Sequence, residues 1–261
     1  MPAITSLSLD GVHYSIRGRE ILRDLSLVAQ PGEFLAIVGP NGCGKSTTLR
    51  LMAGLARADK GRILAGDTDL AKLSRKEISR RIALLTQAGQ VPPNLSVYDL
   101  VSMGRFAHQT LLSRQSREDE ALIADAMLAM HVQSLQARRV GELSGGQLQR
   151  ARMAMTLAQD GGILLLDEPT TYLDLRFQFG ILEKARELAH AGRTVIAVLH
   201  DFTQASLFAD KVAVMNEGRL VALGRPNEVL TEDIVAEVFG VRTKVVHAHG
   251  AVFHVPEAVA K

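Results

Sequence analysis

Residues 33–52 read EFLAIVGPNGCGKSTTLRLM, and the change of texture inside this stretch decides the fold. Five apolar residues in succession, Phe34 to Val38, predict a strand buried on both faces, since a strand with one wet face alternates with polar residues. A glycine-rich loop follows at once, and beyond it Leu49, Met52 and Ala53 share one helix face. Strand, loop and helix in that order predict an α/β core. The loop, GPNGCGKST, sets Gly39, Gly44, Lys45 and Ser46 in the register of a phosphate-binding loop. In such a loop, backbone amides and a helix N-terminus turn partial positive charge toward phosphate oxygens. Lys45 then neutralises the terminal phosphates, and the Ser46 hydroxyl ligates Mg²⁺. The expected nucleotide-binding residues are therefore Gly39, Pro40, Asn41, Gly42, Cys43, Gly44, Lys45, Ser46 and Thr47.

Upstream of the loop the chain alternates, SLSLDGVHYSI and LRDLSLVA about a Gly-Arg turn, which predicts an antiparallel β layer. Downstream, GRILAGDTDL reads as a short strand and turn, SRKEISRR as a short polar helix and IALLTQ as another buried strand. From Ala88 the pattern turns helical. Pro92 and Pro93 break it, and SREDEALIADAMLAM then starts with Ser116 as N-cap and acids in the first turn. A helical insertion is expected over 88–160.

After it, ILLLDEP and TVIAVLH are strands of parallel type, separated by the helical run LRFQFGILEKARELAHAG, which Gly192 terminates. VAVMNEGRLVALG is a hairpin about Asn216 to Gly218. A short helix from Thr231 to Phe239 and a strand pair, TKVVHAHGAVFHV, complete the pattern. ILLLDEP delivers two carboxylates to the carboxyl edge of the sheet, where α/β proteins hold ligands. Asp167 is assigned to the Mg²⁺ shell. Glu168, facing the other way, is the general base for a water attacking the γ-phosphate.

The 261 residues are 47% hydrophobic, ample for a buried core. The 30 basic and 28 acidic residues are interleaved and net only +2, so neither a nucleic-acid partner nor a polybasic membrane tether is indicated. Runs such as ILLL and VIAVL fall far short of the ~20 residues that cross a bilayer, so a membrane role must come through a partner. Cys43 is the single cysteine, which excludes an internal disulfide, and MPAITSLSLDG lacks the features of a signal peptide; a cytosolic location is expected. Met127, Met130, Met153 and Met155 read as helical core. His247, His249 and His254 alternate on a polar hairpin without fixing a coordination geometry. LSGGQLQRARMAMTLAQ, Leu143 to Gln159, sets two adjacent glycines before a long amphipathic run, an entropic cost that implies close approach to those amides.

GPNGCGKST, Gln87 after IALLT, LSGGQ, ILLLDEP, TYLD and His200 after VIAVL occur in an order and spacing that resembles the ATPase subunits of ABC transporters, over nearly the whole chain. The resemblance implies an α/β P-loop NTPase of ABC cassette type, 1–261, with an N-terminal antiparallel β layer and the helical subdomain inserted within it. It implies ATP and Mg²⁺ as ligands and a homodimer in which Ser144, Gly145, Gly146 and Gln147 cap the γ-phosphate held by the other chain. Tyr14 matches the adenine-stacking aromatic, and Gln87 the glutamine that senses γ-phosphate and Mg²⁺. Asp174 matches an aspartate working across the dimer interface, and His200 a histidine that hydrogen-bonds the γ-phosphate.

GRFAHQTLLSRQSREDE, DEPTTYLD, VLHDFTQA and GRPNEVLTEDIVAEVFG are similar to the ATPases of ferric siderophore, haem and cobalamin importers, the first phrase being nearest the catecholate siderophore group. This implies a peripheral subunit on the cytoplasmic face of the cell membrane, energising integral-membrane permease subunits that receive cargo from a periplasmic or surface binding protein. LDLRFQFG departs from those relatives, with Phe177 in place of their usual histidine and Gly180 expected to interrupt the helix. A soluble ABC ATPase acting as a conformational switch is the rival from another class. It typically carries two cassettes or a coiled-coil or basic extension, and this chain shows neither.

Overall fold

The computed structural model describes residues 5–87, 89, 91–109, 115–248 and 250–259. The alternating N-terminal segments form β1 (Leu7–Ile16) and β2 (Arg19–Ala29), paired antiparallel with Leu7 opposite Ala29 and Leu9 opposite Leu27. β3 (Phe34–Val38) is buried throughout and passes through the glycine-rich loop into α1 (Lys45–Met52). β4 (Lys60–Ala65) and β5 (Thr68–Asp69) return to the first layer, giving a four-stranded sheet of order β2-β1-β4-β5. α2 (Arg75–Arg81) leads into β6 (Ile82–Leu85). Among the described residues the regular elements between β6 and β7 (Ile163–Asp167) are all helical: α3 (Val97–Ser102), α4 (Arg117–Ala129), α5 (Gly145–Ala158) and short 3-10 turns. Then come α6 (Leu175–His190), β8 (Thr194–Val198), α7 (Phe202–Phe208), β9 (Lys211–Asn216), β10 (Arg219–Gly224), α8 (Pro226–Val229) and α9 (Glu232–Phe239). β11 (Val241–Ala248) and β12 (Ala251–Val259) pair as a separate hairpin.

The central sheet has the order β10-β9-β3-β8-β7-β6 and is parallel except for β10. β3 and β6 are apolar at every position, and β7 and β8 at all but one, because each face of the sheet packs a different core. Phe34, Ala36 and Val38 join Leu164, Leu166, Ala197 and the helices beyond β6, whereas Leu35 and Ile37 join Leu165, Ile196, Met215, α1 and the antiparallel layer. Each such side chain contributes about 1.5–3 kcal/mol of burial. Met127, Met130 and Met153 are buried in the first core, and Met155 packs against it.

Serine starts four helices with the same device. Ser74, Ser96, Ser116 and Ser144 each accept from the backbone N–H three residues on, while Glu77, Asp99, Asp119 and Gln147 reach back to the serine's own N–H; each cap is worth about 1 kcal/mol. The helices beyond β6 are fastened by a buried pair, Arg105 Nε to Asp119 Oδ1 at 2.7 Å, and Arg105 Nη1 also donates to the Ala158 carbonyl at 2.9 Å. Burial alone would raise the Asp119 carboxyl, but the Ser116 amide and hydroxyl and the Arg105 guanidinium outweigh it and hold the group below its usual 3.8. Gln159 Nε2 bridges the Ser79 and Ile82 carbonyls at 2.6 and 2.8 Å, tying α5 to α2 and β6.

One expectation is corrected. α6 runs unbroken through Gly180, because a lone glycine costs a helix only about 1 kcal/mol and the buried Ile181, Leu182, Ala185 and Ala189 stripe outweighs that. Ala88, where the helical insertion was expected to begin, residues 110–114 of GRFAHQTLLSRQSREDE, and His249 lie outside the described residues. Among the described residues, no helix is long and apolar enough to cross a membrane.

Candidate nucleotide site

Strand order builds the site. β3, β8, β7 and β6 are consecutive neighbours and parallel, so their carboxyl ends deliver the glycine-rich loop, His200, the Asp167–Glu168 pair and Gln87 to one edge. There a cleft of about 610 Å³ opens, lined by Ile21, Asn41, Gly42, Gly44, Lys45, Ser46, Thr47, Gln87, Glu168 and His200. Pro40 and Cys43 line the other side of the loop, a recess of about 350 Å³ shared with Glu217.

Two glycines of the loop are dictated by space and dihedral. A Cβ on Gly39 would lie 2.3 Å from the Met215 carbonyl, and Gly44 sits at φ 108° with its Cβ position 2.7 Å from Leu22 Cδ2. Lys45 is 5% exposed and folds back, donating to the carbonyls of Gly39 at 2.7 Å and Pro40 at 2.8 Å. Ser46 Oγ donates to Asp167 Oδ1 at 2.9 Å, a pair of hard oxygens of the type Mg²⁺ selects. Burial raises the Asp167 carboxyl above 3.8, as does the neighbouring Glu168 charge, against the opposing pull of the Ser46 hydroxyl, the Gln87 amide and His200. Burial likewise raises the Cys43 thiol above 9.0, with Lys45 opposing.

Glu168 leaves strand geometry at φ 52°, in the left-handed region that a non-glycine residue enters at a cost. Its carboxylate consequently lies between two partners. Gln87 Nε2 donates to Oε2 at 2.5 Å, and His200 Nε2 lies 2.5 Å from Oε1. Glutamine, glutamate and histidine from the ends of three strands thus converge in the cleft that the glycine-rich loop also lines.

The other expected site residues stand apart from this cluster. Ser144 caps α5, and neither it nor Gly145, Gly146 or Gln147 lines the cleft. Among the described residues nothing demands the two glycines: a Cβ on Gly145 would meet only Tyr172 Cβ at 3.8 Å, and one on Gly146 only the Tyr172 carbonyl and Leu173 Cδ2 at 3.4 and 3.5 Å. Beside them Tyr172 and Leu175 are 82% and 69% exposed. Asp174 caps α6 by accepting from the Phe177 amide at 3.1 Å, and Arg150 lies over the Phe177 ring at 4.0 Å. Tyr14 is cross-strand from Leu22, packed against the second core and outside the cleft lining. His254 Nδ1 is 3.0 Å from Thr243 Oγ1 and its ring meets Phe202 edge-on. Among the described residues, no three His, Cys, Asp or Glu side chains gather as a metal cluster.

Two residues that sequence reasoning passed over also reach the site. Ile21 lines the cleft, although in sequence it is one more apolar residue of an alternating strand. Arg152, on the apolar run after LSGGQ, donates to the carbonyls of Thr86 and Gln87. A buried arginine on an amphipathic helix carries no signal of that kind.

Comparison with known proteins agrees with the geometry. The family model for ABC transporters matches residues 22–171. The chain is 40% identical over 227 residues to the ferric enterobactin transport ATP-binding protein FepC of Escherichia coli (strain K12), covering 87% of this chain and 84% of that protein. It is 39% identical over 232 residues to the hemin import ATP-binding protein HmuV of Thermobifida fusca (strain YX), covering 89% and 81%. A dimeric bacterial ABC transporter cassette superposes with a TM-score of 0.75 at 25% identity, covering 84% of this chain and 98% of that one.

Proposed function

The chain belongs to the ABC transporter family, and on that premise we propose that it is the ATP-hydrolysing subunit of an importer for iron–siderophore complexes. It works as a homodimer at the cytoplasmic face of the membrane. The observation that carries the dimer is the incompleteness of the cleft: Ser144 to Gln147 lie outside it, Ser144 and Gly145 exposed, with glycines that no described residue of their own chain requires. The cap takes the Ser144 and Gln147 amides, so the Gly145 and Gly146 amides at this helix N-terminus are the ones that fit a phosphate on the loop of a second chain.

In this reading the phosphates of ATP lie along Gly39 to Thr47, and the adenine lies toward Ile21 and Tyr14 on the β1–β2 hairpin. Lys45 exchanges its two carbonyl partners for phosphate oxygens. Ser46 and Asp167, with Gln87 beside them, would hold Mg²⁺, which would supply charge neutralisation to the phosphates. Glu168 orients a water and takes its proton as the water oxygen bonds to the γ-phosphorus, while the bond to the bridging oxygen breaks and ADP leaves with the electron pair. His200 hydrogen-bonds the γ-phosphate, the other chain's Ser144 loop caps it, and Asp174 works across the interface. Closure moves a permease whose cytoplasmic helix sits on the helical insertion, 88–160, and the groove beside Gln87. A periplasmic or surface binding protein supplies the cargo.

Similarity to FepC supports a ferric siderophore, and the near-equal similarity to HmuV makes haem the second reading. Uptake by cells lacking the chain, complemented with wild type or with Glu168→Gln, decides between them. Recovery of ferric catecholate uptake by wild type alone is expected. Recovery confined to haem or to cobalamin overturns the siderophore assignment, and failure to co-purify with any polytopic membrane protein overturns the transport role.

A further inference from the structure

Arg152 on α5 is 8% exposed, and burial of its guanidinium meets no opposing carboxylate among the described residues. An unpaired buried cation is costly to keep. Among the described residues its hydrogen bonds go to one short segment: Nη2 to the Thr86 carbonyl at 2.6 Å and Thr86 Oγ1 at 3.2 Å, and Nη1 to the Gln87 carbonyl at 3.3 Å. Two nitrogens of a planar fork thus hold two successive carbonyls, which a lysine ammonium does not reproduce. Gly89 lies against the same group, since a Cβ there would be 3.1 Å from Arg152 Nη2. Gln149, on the same face of α5, donates to the Pro169 carbonyl at 3.2 Å. α5 therefore grips the chain beside both Gln87 and Glu168, the residues that meet at the catalytic carboxylate.

We propose that Arg152 is a positioning residue: it fixes the backbone at Thr86 and Gln87 so that the Gln87 amide meets Glu168, and so ties the helix that serves the partner's ATP to the water-activating group of its own chain. The idea rests on the cross-chain sites proposed above. It makes each chain a strut between the two ATP sites, because α5 starts at the Ser144 loop of one and holds Gln87 of the other.

The test uses isolated one-to-one heterodimers and single-turnover hydrolysis, with R152M on one chain. With K45A on the other chain, the surviving site uses the R152M chain's own Gln87; hydrolysis should fall about tenfold while ATP affinity stays within about twofold. With K45A moved onto the R152M chain, the surviving site uses the partner's Gln87 and should lose less than about twofold. An equal or larger loss in the second arrangement, or no loss in either, overturns the proposal. Should R152M fail to fold, R152K keeps the cation and one donor, and the same asymmetry at about threefold is expected. A K45A chain paired with an S144R chain, Arg152 intact in both, separates the two ideas. No rescue there contradicts the cross-chain sites, whereas rescue without the R152M asymmetry contradicts only the role of Arg152.

Discussion

Gly145→Ala separates what the chain needs for its own fold from what it needs for a partner. Gly145 is the first residue of α5, its backbone is not among the left-handed glycines, and an added Cβ makes only an ordinary contact with Tyr172. Restricting the unfolded chain at a compatible position stabilises by about 0.4–1 kcal/mol. At about 2–4 °C per kcal/mol for a chain of this size, the melting temperature should rise by roughly 1–4 °C. In the dimer the same methyl stands where the Gly145 and Gly146 amides reach a phosphate, and displacing one such donor costs about 2.7–4 kcal/mol, or ~10²–10³ in rate. Thermal unfolding without nucleotide and single-turnover hydrolysis are measured on the same preparation. A variant that melts lower shows that Gly145 serves its own fold. One that melts higher yet hydrolyses at the wild-type rate shows that nothing approaches the loop, and either result refutes the reasoning.

Glu168→Gln should bind MgATP and accumulate as a dimer on size-exclusion chromatography while losing most hydrolysis; a persistent monomer, or wild-type turnover, contradicts the general-base assignment. Alkylation of Cys43 should inactivate with protection by ATP, and its rate should keep climbing as the pH passes 9.0, because burial keeps the thiol protonated there. Cys43→Ser should remain active, and its loss of activity without any modifier reveals a role for the thiol. Arg105→Met leaves Asp119 buried without its partner and should cost about 3 kcal/mol, lowering the melting temperature by roughly 6–12 °C. Because Asp119 is held below 3.8, that contribution is present above this value and is lost as the pH falls through the lowered one. The deficit against wild type should therefore shrink in acid.

The parallel core was legible because β3, β7 and β8 are buried on both faces and so carry unbroken apolar runs. The start of α4 was legible too, since Ser116 followed by acids in the first turn states its own cap, whereas the Ser144–Gln147 box that starts α5 went unread. Strand order was not. Ser46 and Asp167 are 121 residues apart and meet only because β8 inserts between β3 and β7, a pairing that no local pattern encodes. Ile21 escaped notice because lining a cleft and filling a core select the same side chain at that strand position. Gly180 was over-read, since packing of the α6 stripe outweighs one glycine's propensity.

The central claim is that each ATP site is built from two chains, and one pairing tests it most directly. One chain carries Lys45→Ala, which ruins its phosphate loop, and the other carries Ser144→Arg, which blocks the loop that caps the partner's phosphate. Each homodimer should be inactive. In the mixed dimer one composite site collects both lesions, while the other joins an intact phosphate loop to an intact Ser144 loop, so single-turnover hydrolysis should reappear at one site of the two. No recovery above either parent, in a heterodimer whose one-to-one composition has been verified, contradicts the account.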